Sequence, residues 1–111
     1  MAQTFRVAND FSTAIRFDAD DVIVEVRGEL DCATAPQLQD VLDQLMAEGA
    51  HKVVVDLAET PFLDSTGLAA LLAALRRMQA HRGELVLANL RPAACRLLQL
   101  TGLDRVFTVT G

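Results

Sequence analysis

Short β-branched runs alternate along this chain with longer stretches in which apolar residues recur at helical spacing, and that alternation leaves few folds open. Ser12-Thr-Ala-Ile-Arg-Phe17 and Val22-Ile-Val-Glu-Val-Arg27, joined by a polar turn over Asp18 to Asp21, read as an antiparallel hairpin. In the second of these strands Val22, Val24 and Val26 point one way and Ile23, Glu25 and Arg27 the other, so the sheet has one apolar and one mixed face. Thr34 and Gln37 have the spacing of a capping box ahead of Leu38, Val41, Leu42, Leu45 and Met46, a one-sided stripe that Gly49 closes. Lys52 to Leu57 is a buried-type strand. Beyond Pro61 a second helix carries Leu68, Leu71, Leu72, Leu75 and Met78; Arg76, Arg77 and Arg82 gather at its negative pole, and Gly83 is expected to supply a left-handed stop. Glu84 to Asn89 is another buried-type strand, Pro92 opens a helix with Ala94, Leu97, Leu98 and Leu100 that ends at Gly102, and Val106 to Val109 is the last strand. The residues before Ser12 read either as a short extra strand from Thr4 to Val7 or as an arm.

The resulting order is β-β-α-β-α-β-α-β. Parallel crossovers are right-handed, and successive crossovers in one direction stack their helices on one face. The expected fold class is therefore α/β: one domain with a mixed, mostly parallel sheet, an N-terminal antiparallel hairpin and a single layer of helices. With 111 residues, 51% of them hydrophobic, the chain can fill such an interior without disulfides or metal. Its 10 basic and 15 acidic residues give a net charge of −5, and it has no Trp or Tyr, which argues against nucleic acid as a partner. No apolar run approaches the ~18 residues of a membrane span, and the opening Met1-Ala2-Gln3-Thr4-Phe5-Arg6 lacks the pattern of a signal peptide, so a cytoplasmic protein away from membranes is expected. Cys32 and Cys95 show neither zinc-ligand nor redox spacing and are expected to be buried or half-buried free thiols; no metal or cofactor is expected.

Loops that leave the C-terminal ends of parallel strands share one edge, where ligands and partners of such folds meet them. Gly28 to Ala33, Pro61 to Gly67 and Asn89-Leu-Arg91-Pro92 all reach that edge. If the strands at Val22 and Lys52 are neighbours, Asp31 comes close to Ser65. Asp64-Ser-Thr-Gly67 opens the second helix, where free backbone N–H groups and the positive end of the helix dipole favour an anion, so a hydroxyl there is placed to carry a phosphate. The same residues also suit a plain helix cap. Asp64, Ser65 and Thr66 nevertheless supply three acceptors where a cap needs one, and Gly67 admits a close neighbour. A serine hydrolase is excluded: Ser65 has no Gly-x-Ser-x-Gly elbow, His51 lies on the opposite edge, and His81 lies about 24 Å along the helix at 1.5 Å per residue. With no phosphate-binding glycine loop for nucleotide, any phosphate on Ser65 must come from another protein's ATP site.

Four stretches carry a resemblance that spans about residues 12 to 109: Gly28-Glu-Leu-Asp31 with Thr34-Ala-Pro36, Val53-Val-Val-Asp-Leu57, Phe62-Leu-Asp-Ser-Thr-Gly-Leu68, and Leu100-Thr-Gly-Leu-Asp-Arg-Val-Phe107. They resemble the STAS domain of the anti-sigma factor antagonists, bacterial proteins of transcription regulation and partner switching. The resemblance implies a βα superhelix with helices on one face of the sheet. It implies that Ser65 is the phosphorylated serine, with Asp31, Asp64, Thr66, Gly67 and Arg91 forming its environment and the partner surface. Unphosphorylated, such a protein binds an anti-sigma factor that is also a serine kinase of the GHKL type and so frees a sigma factor; a phosphatase resets it. The chain itself is then not an enzyme. An alternative within the same resemblance is a structural STAS subunit of a lipid-transport ABC complex, suggested by Gly67-Leu-Ala-Ala-Leu-Leu72, and a third is the cytosolic domain of an anion transporter. Family members usually continue past the last strand into another helix, whereas this chain stops at Gly111. The expectation is a single STAS domain over 1–111 without that helix, from a gene product that continues further, and a homodimer formed through the uncovered last strand.

Overall fold

Alternation along the strands sorts the side chains between two faces of one five-stranded sheet, and the computed structural model describes it over residues 11–111. The expected strand or arm around Thr4 to Val7 lies outside the described residues. Strands β1 (Ser12–Asp18) and β2 (Asp21–Arg27) form the antiparallel hairpin, with Ser12 opposite Arg27 and Asp18 opposite Asp21. Strands β3 (Lys52–Glu59), β4 (Glu84–Ala88) and β5 (Thr108–Thr110) follow in parallel, so the spatial order β1-β2-β3-β4-β5 repeats the chain order. Helices α1 (Ala35–Ala47), α2 (Ser65–Ala80) and α3 (Pro92–Thr101) span the successive crossovers and pack on one face.

Register keeps that face apolar from strand to strand. Val22 and Val24 lie beside Val53 and Val55, which lie beside Leu85 and Leu87. Together with Val26 and Leu57 they are buried against Leu38, Leu42 and Leu45 of α1, Leu68, Leu71, Leu75 and Met78 of α2, and Ala94 and Leu98 of α3. Each such aliphatic side chain removed from water contributes about 1.5–3 kcal/mol, so the stripes of the helices and the alternate residues of the strands are the main source of stability. The other face is the mixed one: Arg16 pairs with Glu25 at 3.1 Å, and Lys52 with Asp21 at 3.5 Å. Between the helices, the Arg77 guanidinium of α2 pairs with the Asp43 carboxylate of α1.

Three local expectations need correction. Gly83 is not the left-handed residue after α2; Arg82 is, at φ 61°, while the Gly83 N–H closes on the Met78 carbonyl at 2.7 Å. Gly83 is demanded by space instead, because a Cβ there would lie 2.8 Å from the Met78 methyl and 3.0 Å from the His51 carbonyl oxygen. Cys95 is half-buried as expected, but Cys32 is exposed. The last strand begins later than Val106: left-handed Gly102 (φ 76°) ends α3, Leu103–Arg105 form a 3-10 turn, and only Thr108–Thr110 pair with β4. The turn uses the apolar pattern differently from a strand. Its Leu103 carbonyl accepts from Val106 and Phe107, which tucks Phe107 into the core at 5% exposure and leaves Val106 47% exposed.

This assignment predicts opposite costs for neighbouring truncations. Phe107→Ala should destabilise the protein by about 3 kcal/mol or more, as a vacated aromatic core site does, whereas Val106→Ala should stay within about 0.5 kcal/mol. Urea unfolding of both variants measures this, and equal losses would restore a strand running from Val106.

Candidate functional site

Because β2 and β3 are parallel neighbours, the segments that follow them leave the sheet on the same edge, and their pairing does not stop where the strands do. The Gly28 N–H donates to the Glu59 carbonyl at 3.0 Å, the Leu30 N–H to the Phe62 carbonyl at 2.9 Å, and the Asp64 N–H to the Leu30 carbonyl at 3.2 Å. Leu30 and Leu63 are bridged in parallel and both are buried. Buried Thr60 adds a stitch below them, its hydroxyl donating to the Val26 carbonyl at 3.1 Å. The loop that holds Asp31 is thereby fastened, backbone to backbone, to the loop that leads into Ser65.

At the head of α2 the work is divided among adjacent residues. Asp64 is the cap: in extended conformation, it accepts the Gly67 N–H on its carboxylate at 2.9 Å, and its carbonyl accepts the Leu68 N–H at 2.9 Å. A carboxylate in that place also suits the positive end of the helix dipole. Ser65, the first helical residue, is exposed, and its hydroxyl has no hydrogen-bond partner among the described residues. Thr66 is exposed too and lines a shallow groove between the heads of α1 and α2 with Cys32, Ala35, Pro36, Gln39, Ala69 and Ala70. Gly67 is buried where the loops meet: a Cβ there would lie 2.6 Å from the Leu30 carbonyl oxygen and 2.9 Å from the Leu30 and Leu63 side chains.

Asp31 is half-buried and shapes its own loop, with Oδ1 accepting the Ala33 N–H at 2.9 Å and the Thr34 N–H at 3.1 Å. Its carbonyl takes the Ala35 N–H at 2.8 Å, so Asp31 satisfies the first donors of α1. The capping box expected at Thr34 and Gln37 is therefore not formed. Thr34 already has helical torsions, φ −103° and ψ −22°, which turn its side chain away from the helix head. Its hydroxyl donates backward to the Glu29 carbonyl at 2.7 Å and accepts the Asp31 N–H at 3.0 Å. The third loop reaches the same edge from the β4 side. Arg91 is exposed and donates to the Ala58 carbonyl of β3 at 3.2 Å, and the Asn89 side-chain amide donates to Asp56 at 3.1 Å.

The histidines lie elsewhere. His51 and His81 line a larger groove with Asp43, Met46, Arg77 and Gly83, and His81, the cap of the far end of α2, donates from Nδ1 to the Arg77 carbonyl at 2.8 Å. The whole of α2 separates His81 from Ser65. Among the described residues no three His, Cys, Asp or Glu side chains converge on a metal position, and no helix is long and apolar enough to cross a membrane. What the edge offers is an accessible hydroxyl on the first turn of a helix, with a capping carboxylate beside it and a second carboxylate on the loop fastened to it. The sequence patterns did not reveal Leu30 as the fastener or Thr34 as its anchor. The one signal available was Gly67, whose missing side chain announces a close neighbour without naming it.

Comparison with known proteins adds a family. The model of the STAS domain matches residues 12–110. An anti-sigma-B factor antagonist of Listeria monocytogenes is 32% identical over 92 residues, 83% of this chain and 81% of that protein. An anti-sigma factor antagonist from Mycobacterium paratuberculosis superposes with a TM-score of 0.82 at 31% identity, covering 91% of this chain and 86% of that one. The Bacillus cell fate determinant SpoIIAA, solved in its phosphorylated form, aligns with a TM-score of 0.70 over 90% of this chain and 92% of its own; at 22% identity that likeness is one of fold.

The division of labour at the head of α2 predicts a rank order of stability. Gly67→Ala should cost about 1–3 kcal/mol by overpacking against Leu30, Asp64→Ala about 1 kcal/mol by loss of the cap, and Ser65→Ala no more than about 0.5 kcal/mol. Chemical denaturation of the three variants reads the order directly. A Ser65→Ala loss as large as that of Asp64→Ala would make Ser65 part of the cap.

Proposed function

The chain belongs to the STAS domain family and, within it, to the anti-sigma factor antagonists, and from that premise we propose that Ser65 is the switch by which it trades partners. In this reading the unmodified protein binds an anti-sigma factor that is also a serine kinase of the GHKL type, in the cytoplasm, and a sigma factor is released. The function is binding; the chain is the kinase's substrate and does no chemistry of its own. Ser65 Oγ takes the γ-phosphoryl group of the kinase's ATP, its proton is lost and ADP leaves. A phosphatase later hydrolyses the phosphoserine and restores the hydroxyl.

The observation that carries the reading is the uncommitted, exposed hydroxyl of Ser65 beside a side-chain cap that Asp64 forms without it. Phosphate there adds a charge of about −1.5 to −2 at neutral pH. Asp64 precedes it in the chain, and Asp31 follows Leu30, whose carbonyl holds the Asp64 N–H. Within the free domain the N–H groups of Ser65 and Thr66, which have no partner among the described residues, and the helix dipole offset part of that repulsion. Pressed against a surface that fits a neutral hydroxyl, the same dianion loses its water without gaining a counter-charge. A loss of ~1.4 kcal/mol in the complex is already tenfold in affinity, and one unit-charge pair at ~6 Å with an effective dielectric near 20 supplies roughly twice that. The domain can thus keep its fold while the complex dissociates.

Support also comes from the fold relative solved with its phosphate in place, since a protein of this architecture carries the modification without unfolding. The reading extends to self-association: β5 is a three-residue edge strand with Val109 44% exposed, and sedimentation across a concentration series should show a homodimer that Val109→Lys abolishes.

Incubation with the cognate kinase and Mg-ATP should place phosphate on Ser65 alone, read by mass spectrometry, with none in Ser65→Ala. Phosphate on Thr66, or persistent incorporation in Ser65→Ala, would overturn the assignment. In calorimetric titration against the same kinase Ser65→Ala should keep the parental affinity and Ser65→Asp should lose part of it, because one carboxylate carries less charge than a phosphate. Equal affinities for the two variants would refute the electrostatic account.

A further inference from the structure

We infer that Thr34 is a positioning residue of the switch: its hydroxyl fixes the backbone on both sides of Leu30 and thereby sets where the Asp31 carboxylate stands relative to Ser65. The consequence for partner switching rests on the reading of Ser65 above; the geometry does not. Thr34 is, with Thr60, one of two buried polar residues among the described residues, 2% exposed. Its hydroxyl donates to the Glu29 carbonyl at 2.7 Å and accepts the Asp31 N–H at 3.0 Å, with Asp31 Oδ1 at 3.3 Å from the same oxygen.

Those partners belong to the peptide units that flank Leu30. In the unit before it, the Glu29 carbonyl is held by Thr34 and the Leu30 N–H by the Phe62 carbonyl at 2.9 Å. In the unit after it, the Asp31 N–H is held by Thr34 and the Leu30 carbonyl by the Asp64 N–H at 3.2 Å. Each peptide unit therefore has one end on the Thr34 hydroxyl and the other on the segment that leads into Ser65. Only a group that both donates and accepts can hold a carbonyl and an N–H at once, and a hydroxyl is the smallest that does. An apolar side chain of the same shape would fill the space and remove the one protein partner of both backbone groups, which sit in a part-buried place. The Asp31 carboxylate is anchored to the same turn through the Ala33 and Thr34 N–H groups, so a turn released from Leu30 would carry that carboxylate with it.

The test compares Thr34→Val, which keeps the shape, with Thr34→Ser, which keeps the hydroxyl, in the full chain carrying Cys95→Ser. Thr34→Val should speed amide exchange at Leu30, Asp31 and Asp64 by about tenfold or more while leaving Val54 and Leu87 at parental rates, and Thr34→Ser should stay near the parent. A second readout uses Cys32, exposed on the same loop in the groove that Thr66 lines. Introducing Ser65→Asp in the parent should slow the reaction of the Cys32 thiol with the anionic reagent dithionitrobenzoate by about threefold, because a carboxylate added next to Thr66, which lines the same groove as Cys32, disfavours the thiolate and repels the reagent. Thr34→Val should abolish most of that slowing and Thr34→Ser should retain it. If Thr34→Val does not fold, Thr34→Ala is compared with Thr34→Ser under the same criteria. Parental exchange and parental slowing in the hydroxyl-free variant, or failure of serine to rescue either, would overturn the inference. Neither readout uses the kinase, so a failure of the phosphorylation reading would appear in phosphate incorporation and not here.

Discussion

The continuation of the β2–β3 ladder beyond the strands, through Leu30, is the contact on which the site depends. Parallel strands need no turn between them, so the segments at their ends are normally free to diverge. Here they stay paired through the Leu30 N–H and carbonyl, and the buried Leu30 and Leu63 side chains seal the pairing against the core. The head of α2 is drawn so close that its third residue has to be glycine. Parallel pairing of β2 and β3 puts Asp31 and Ser65 on one edge, and that closure fastens their two loops to each other.

A fastened loop edge gives the proposed charge switch a physical basis. Asp64 supplies the side-chain cap of α2 and Asp31 holds the first donors of α1, so neither helix relies on the Ser65 hydroxyl. Modification can change the surface potential at this edge without a large cost to the fold, which is the separation that a partner switch of the anti-sigma factor antagonist kind requires. An arrangement in which the modified hydroxyl also held the helix cap would couple phosphorylation to local unfolding instead.

The opposite end of the molecule shows the contrast. There the helix ends are closed by backbone turns, the Asp43–Arg77 pair ties α1 to α2, and both histidines sit on an open groove. Surface ion pairs of that kind are worth little on their own. The apolar stripes of α1 and α2 hold the two helices together, and the loop edge at the other end is where the named acidic residues, the free hydroxyl and the exposed Phe62 and Cys32 lie.

The sequence by itself determined the α/β class, the hairpin, the helices, the sheet face they cover and the edge on which Asp31, Ser65 and Arg91 lie, because periodicity and crossover handedness are local or general constraints. It also showed that Gly67 admits a close neighbour. It misread the places where one residue type suits two local roles: Thr34 has the composition of a cap, Gly83 that of a left-handed stop, and Val106 to Val109 that of a strand. Tertiary contacts settled each of these. Asp31 reached the head of α1 first and turned Thr34 to Leu30, the Met78 methyl and His51 backbone excluded a side chain at position 83, and the 3-10 turn after Gly102 sent Phe107 inward. In every case the deciding partner stands on another segment of the chain or across a turn, so its distance is set by how the layers pack and not by any spacing that the sequence displays.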